Sequence, residues 1–273
     1  MNEVTFYSEV LTSVGVSGVH KKLCVPAFLD ASVTDTCIQL VFTDLREDGY
    51  VQRPSGWKGA LSCLSWLARF HAAFLVDRHG VDRRHKSVHK LWAAGTYWFL
   101  GTRRDEFDAL EDGNPLRASA KALDDCLSAS QFYCLVHGDA KFSNFLLNES
   151  GQAAAVDFQY VGHACGMKDV AYLIDDLLSS SNAQPVANAL DAYFGVLRHE
   201  LLQQGWECTR LDEVEKSWRT LFPVAVADFA RFYCGWAGVR FSHLSKVLKD
   251  VVAEGLQVVA NLQKEAAPKG SPA

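Results

Sequence analysis

The chain has 273 residues, 49% of them hydrophobic and 22% charged, which is the composition of a folded globular protein and excludes disorder or a coiled coil. Lys and Arg number 27 against 32 Asp and Glu, a net charge of −5, so no general basic field is available to hold a nucleic acid or an anionic membrane. The longest stretch without Asp, Glu, Lys or Arg, from Leu177 to Leu190, contains Ser, Asn and Pro and cannot span a bilayer.

The start, Met-Asn-Glu-Val-Thr-Phe-Tyr, lacks the cationic and apolar regions of a secretory signal, which points to the cytoplasm. Eight cysteines without a CxxC pair point to reduced, mostly buried thiols with neither disulfide nor zinc. Val4, Tyr7, Val10 and Leu11 recur at helical spacing, and Cys37 to Thr43 is a short apolar, β-branched run that predicts a strand ending at Asp44-Leu45. From Gly59 to Val76 the apolar positions keep a 3.6-residue period, and Asn114-Pro115 is a helix start, with a capping side chain followed by a residue that has no N–H to leave unpaired.

Phe132 to Val136, Phe145 to Leu147 and Ala153 to Phe158 read as strands, the last two pairing as a hairpin across Asn148 to Gly151. Beyond Lys168 the pattern is helical: Asp169 to Leu178, Pro185 to Gln204, and two further helices between Asp212 and Leu262. A little β structure, a central hairpin and a helical second half make an α+β chain and disfavour a doubly wound parallel sheet. Residues 264–273, rich in Ala, Pro, Lys and Gly, predict a disordered tail.

The segment Leu135-Val-His-Gly-Asp-Ala-Lys-Phe-Ser-Asn144 contains HGDxKxxN, and Asp157-Phe158-Gln159 follows thirteen residues after Asn144. Phosphoryl transfer from ATP to a hydroxyl needs a carboxylate to take the hydroxyl proton, cations against the phosphate oxygens, and hard oxygen ligands to hold those cations. Asp139, Asn144 and Asp157 can supply the carboxylate and both ligands, and Lys141 is placed to reach the transferred phosphate.

These motifs resemble those of kinase-like small-molecule phosphotransferases, the group that includes aminoglycoside phosphotransferases, choline kinases and ecdysteroid-kinase-like proteins; Gly138, where protein kinases have Arg, points to the small-molecule branch. The resemblance implies a protein-kinase-like fold with a partial N-lobe over residues 1–48 and a mostly helical C-lobe over 49–263. It implies Asp139 as catalytic base, with Lys141 and His137 as its catalytic-loop companions, His137 bracing the loop. It further implies Asn144 and Asp157 as magnesium ligands and Asp169 as a residue that orders the loop. Glu3, Asp44 and Leu45 fall at positions that contact nucleotide: Glu3 on the helix whose carboxylate pairs with an ATP-binding lysine, Asp44-Leu45 where a strand enters the adenine hinge. The implied cofactors are ATP and Mg2+, and the implied partner is a small hydroxylated substrate. His71 and His163 carry no assigned role.

The glycine-rich turn and lysine that grip the α- and β-phosphates are not found: only Met1 and Asn2 precede Glu3, no G-x-G occurs, and Lys21 and Lys22 follow the first helix. The expectation is therefore an incomplete N-lobe lacking its first strands. Its remaining strand would have lost its partners and left apolar surface exposed, and the chain would bind ATP weakly. Two functions follow: a truncated form of an ATP-dependent small-molecule kinase, or an inactive pseudokinase that acts as a binding or scaffolding module. In the second half Phe229, Phe232, Tyr233 and Trp236 recur at helical spacing, as core-packing residues or as an aromatic cage that, with Asp175, Asp176 or Asp228, suits a cationic alcohol.

Overall fold

The computed structural model describes residues 1–14, 23–79, 86–178 and 184–266. The chain opens with a short helix α1 (Asn2–Thr5), a π-helical segment (Phe6–Val10) and α2 (Leu11–Val14), one after another without a break. Phe6, Tyr7 and Val10 are buried, so the apolar spacing read from the sequence faces the core. The next elements are β1 (Phe28–Val33) and β2 (Ile38–Phe42), which form an antiparallel ribbon with Val33 opposite Ile38. The expectation that this strand had lost its partner is thus corrected: β1, unforeseen in the sequence, pairs with it. The apolar surface expected there is present, since Leu29, Val33, Ile38 and Val41 are all exposed.

The long helix α3 (Gly56–Ala73) buries Cys63, Leu64, Leu67, Ala68, Phe70 and His71 on one face, the stripe that the 3.6-residue period requires. It ends three residues earlier than its period suggested, because Val76–Asp77 forms the edge strand β3. After α4 (Arg104–Asp108), helix α5 (Pro115–Ser128) begins where the capping signal placed it, with Asn114 Oδ1 accepting from Leu116 N at 3.0 Å. Strand β4 (Phe132–Val136) is the middle of a three-stranded antiparallel sheet between β3 and β7 (Gly162–Ala164). Strands β5 (Phe145–Leu147) and β6 (Ala153–Ala155) make the expected hairpin, and β6 stops three residues short of Phe158.

The helical second half consists of α6 (Met167–Leu173), α7 (Asp175–Leu178), α8 (Gln184–Gln203), α9 (Cys208–Ala237) and α10 (Lys246–Ala266). The single helix expected over Asp169 to Leu178 is broken at Ile174. Lys264 to Ala266, read as the start of the tail, close α10, and residues 267–273 lie outside the described residues. Helix α9 packs against α5, α6 and α10, and α3 packs against α8, so α3, α6 and α9 form a helical floor beneath β4 and the loop that leaves it. Among the described residues no helix is long and apolar enough to cross a membrane. Four of the eight cysteines are buried, Cys24 and Cys126 are half-buried, and Cys37 and Cys208 are exposed, so fewer are buried than the sequence suggests.

Candidate active site

Strand β4 delivers His137, Gly138 and Asp139 from the centre of the sheet into a loop whose shape depends on glycine. Gly138 has φ +84°, and a Cβ there would lie 2.1 Å from the Tyr160 carbonyl oxygen. That close approach lets Tyr97 N donate to Gly138 O at 3.1 Å from the neighbouring segment.

The loop is held from beneath by one carboxylate. Asp169, on the first turn of α6 and 1% exposed, accepts from His137 N (2.6 Å) through Oδ2 and from Gly138 N (3.0 Å) through Oδ1. His71 of α3 places Nε2 3.2 Å from Asp169 Oδ2 and Nδ1 2.7 Å from the Tyr193 hydroxyl on α8, so three helices fix this anchor. The ordering role given to Asp169 matches these contacts. The part played by His71 and Tyr193 was not legible, since neither belongs to a local motif.

His137 is fully buried. Its Nε2 donates to Val156 O (2.9 Å), and its Nδ1 accepts from Asp139 N (3.3 Å). Burial lowers its pKa from the ordinary 6.5, against the opposing pull of Asp169, and the neutral ring is the form that both hydrogen bonds require. His137 therefore braces the loop and ties it to the β6 end, away from the open side of Asp139.

Asp139 is 2% exposed. Its Oδ2 accepts from Lys141 Nζ (2.7 Å) and Asn144 Nδ2 (3.0 Å), and Asn144 Nδ2 also donates to Asp139 O (2.9 Å). Its Oδ1 is buried and makes no hydrogen bond among the described residues, and the Tyr172 hydroxyl lies beside the carboxylate. Asp139, Lys141 and Asn144 are thus one connected group. Asp157 follows β6 in a left-handed backbone conformation (φ +69°), and Val156 N donates to Asn144 O (3.0 Å), which brings the two oxygen-bearing positions onto adjoining strand ends.

Glu3 reaches the same region from the other side. Its Oε1 accepts from Phe158 N (2.9 Å); burial raises its pKa, and the neighbouring Asp157 charge adds to the rise. Asn2, which carried no expectation, secures the helix there: its amide nitrogen donates to Gln159 O and Val161 O, and its oxygen accepts from Trp92 N. Asp44 is exposed and bound to Arg46, whose hydrogen bonds hold its carboxyl below the ordinary range. Leu45 is buried with Tyr50 and Ala154 against the β5–β6 hairpin. The structure therefore bonds Glu3 to the backbone just after Asp157, at Phe158 N, and sets Leu45 on the hairpin, while the Asp44 side chain turns to its own neighbour.

Asp139 and Lys141 open onto a cavity of about 450 Å³ walled by Tyr97, Tyr172, Phe229, Tyr233 and Trp236. The aromatic spacing on α9 supplies both core and cavity wall: Phe229 and Phe232 are buried in an aromatic core with Trp98, whereas Trp236 is 66% exposed at the cavity's edge. Asp175 also lines the cavity. Asp228, expected among its carboxylates, is instead buried on α9 away from the cavity lining, where Oδ1 accepts from Arg231 Nε (2.9 Å); the Asp176 side chain lies outside the described residues.

No curated protein sequence matches the chain significantly. Among solved structures, a microcompartment-associated aminopropanol kinase matches over 94% of this chain and 81% of its own, with 12% identity and a TM-score of 0.50. A choline/ethanolamine kinase family protein from Mesorhizobium loti matches over 98% and 79%, with 14% identity and a TM-score of 0.46. At 12% identity, the aminopropanol kinase likeness is one of fold, and it makes this a protein-kinase-like α+β fold. The model of the phosphotransferase enzyme family, APH, matches residues 55–211, which is more than half of the chain and takes in α3, the Asp139 loop, the hairpin and Asp169. The chain belongs to that phosphotransferase enzyme family.

Proposed function

We propose that this phosphotransferase moves the γ-phosphoryl group of ATP to a hydroxyl of a small molecule, with Asp139 as the base. The observation that carries this is the Asp139 carboxylate: one oxygen is fixed by Lys141 and Asn144, while the other is buried, without a hydrogen bond, on a residue that lines a cavity large enough for a small acceptor. An acceptor hydroxyl in that cavity would donate to Oδ1. Its oxygen forms the new bond to phosphorus as its proton passes to Asp139, the bond from phosphorus to the bridging oxygen breaks, and ADP leaves. Lys141, whose ammonium already lies in the site, would meet the transferred phosphoryl oxygens.

The residues present fit a magnesium ion. The amide nitrogen of Asn144 is spent on Asp139, which leaves its oxygen as the donor, and Asp157 adds a carboxylate, so both positions offer the hard oxygens that magnesium takes. When bound, the ion supplies positive charge against the phosphate oxygens. Glu3 and Leu45 border the nucleotide side, and residues 1–48 form the smaller of two lobes, with 49–263 the larger.

The test is a coupled ADP-release assay with ATP, magnesium and a panel of hydroxylated amines, sugars and simple alcohols, confirmed by phosphorus NMR of the product. Acceptor-dependent ADP release with a phosphate monoester product is the expected result. Nucleotide binding without turnover of any hydroxyl compound would favour an inactive binding module instead.

A further inference from the structure

A second cavity, of about 370 Å³, shares none of its lining with the Asp139 cavity. Its wall holds Arg78, His89, His163 and Lys168, and Asp124 is the sole carboxylate among the described residues that line it. Lys168 is 5% exposed; among the described residues its ammonium pairs with Asp228 Oδ2 at 3.5 Å and lies 4.5 Å from the centre of the Trp98 ring. Asp228 is already engaged by Arg231 through Oδ1, and Arg231 itself leaves Nη1 buried without a partner. Lys168 and Arg231 thus share Asp228, and Asp124 is a second carboxylate near both. An ammonium has three donors, and one ion pair at 3.5 Å with an aromatic face leaves donor capacity for a ligand. Across the cavity Arg78 spends Nε and Nη2 on the carbonyls of Ser130 and Ser128 and lies over the Tyr133 ring, which fixes its guanidinium in place. Burial and the Asp228 charge raise the pKa of Asp124.

We propose that this cavity is a binding site for a small oxyanion, a carboxylate or phosphate group on a metabolite-sized molecule, held between Lys168 and Arg78. The site is built to be felt at the reaction centre. Ala93, Ala94 and Gly95 form part of its wall, and the same segment hydrogen-bonds through Gly95 N to His163 O, through Thr96 N to Tyr160 O and through Tyr97 N to Gly138 O. Gly95 is wedged so closely that a Cβ there would lie 2.5 Å from a Val136 methyl, so the segment has no slack in which to absorb a displacement. A ligand against Ala93 and Ala94 therefore bears on the strand of chain that carries Tyr97 to the acceptor cavity.

The binding half of this proposal is independent of the activity proposed above. It is tested by thermal unfolding of the full chain in sodium acetate and in sodium phosphate against chloride of equal ionic strength, with two variants: Lys168→Met, which removes the charge, and Ala94→Phe, which fills the space and keeps it. The expected result is an anion-dependent rise in Tm for the wild type, with apparent affinity at least tenfold weaker in both variants. A response to acetate alone assigns a carboxylate ligand, and a response to phosphate alone assigns a phosphate. If Lys168→Met does not fold, Ala94→Phe decides. No rise over chloride in the wild type, or an equal rise in wild type and Ala94→Phe, would overturn the proposal, the latter placing the anion elsewhere, as in the Asp139 site.

Discussion

The ammonium of Lys141 lies 2.7 Å from Oδ2 of Asp139, two residues back along the same loop. The contact offsets a buried carboxylate charge on one oxygen, while the other makes no hydrogen bond among the described residues. The lysine side chain is itself 45% exposed, so the pair contributes little to stability and its value lies in the site. Lys141→Met is expected to lower turnover by about 10²-fold, the scale for losing one charged donor in a reaction centre, with little change in Tm. Steady-state kinetics beside a melting curve check this. A variant with full turnover would show that the lysine is only a solvated neighbour.

Gly138 cannot carry a side chain without moving the loop. Its positive φ and the 2.1 Å approach to Tyr160 O mean that Gly138→Ala must displace either the loop or residues 158–161. We expect a loss of about 1–3 kcal/mol in stability and a disproportionate fall in kcat, measured by urea unfolding and by initial rates. Unchanged kinetics would mean that the loop tolerates a different path.

The His71 ring is the part of the Asp169 anchor that can be removed without touching the loop itself. His71→Phe leaves Asp169 Oδ2 and the Tyr193 hydroxyl without their shared partner and is expected to cost about 1–3 kcal/mol. Because Asp169 holds the backbone of His137 and Gly138, kcat should fall while KM for the acceptor changes little, and His71→Asn should restore part of the loss. Equal loss of kcat and KM effects in both variants would indicate simple unfolding.

How much of this was legible depended on whether the signal was local. HGDxKxxN and Asp157 could be read as neighbours because their spacing is set by one strand exit and one hairpin, and Asn114-Pro115 fixed a helix start to the residue. Strand β1 was missed because Leu29 and Val33 point to solvent and Ser32 and Asp30 interrupt any apolar alternation, so the ribbon lacks the half-buried pattern that marks a strand. His71 and Asp169 are 98 residues apart, and the partnership of Lys168 with Asp228 and Arg231 joins α6 to α9; tertiary packing alone creates such pairs. The helix over Asp169 to Leu178 looked continuous because Ile174 is a good apolar match to the period, although the backbone turns there.

Protonation of His137 should appear in the pH dependence of stability. In the folded protein burial holds its pKa below 6.5, whereas the unfolded chain takes up the proton near that value. As pH falls through 6.5 the unfolded state therefore binds more protons, and stability is lost; above 6.5 the contribution is fully present. Unfolding free energies at two pH values on either side of 6.5 should differ less for His137→Gln than for the wild type. An equal difference would assign the acid sensitivity to other groups.

The central claim is that Asp139 takes the proton of the acceptor hydroxyl. Asp139→Asn keeps the size and the oxygen that accepts from Lys141 and Asn144 but removes the base. The decisive measurement is kcat for acceptor phosphorylation alongside the dissociation constant for magnesium–ATP in that variant. Turnover lowered by about 10²–10⁴-fold with nucleotide affinity held within a few-fold is the predicted result. Turnover close to that of the wild type, or a loss of nucleotide binding as large as the loss of rate, would contradict the assignment.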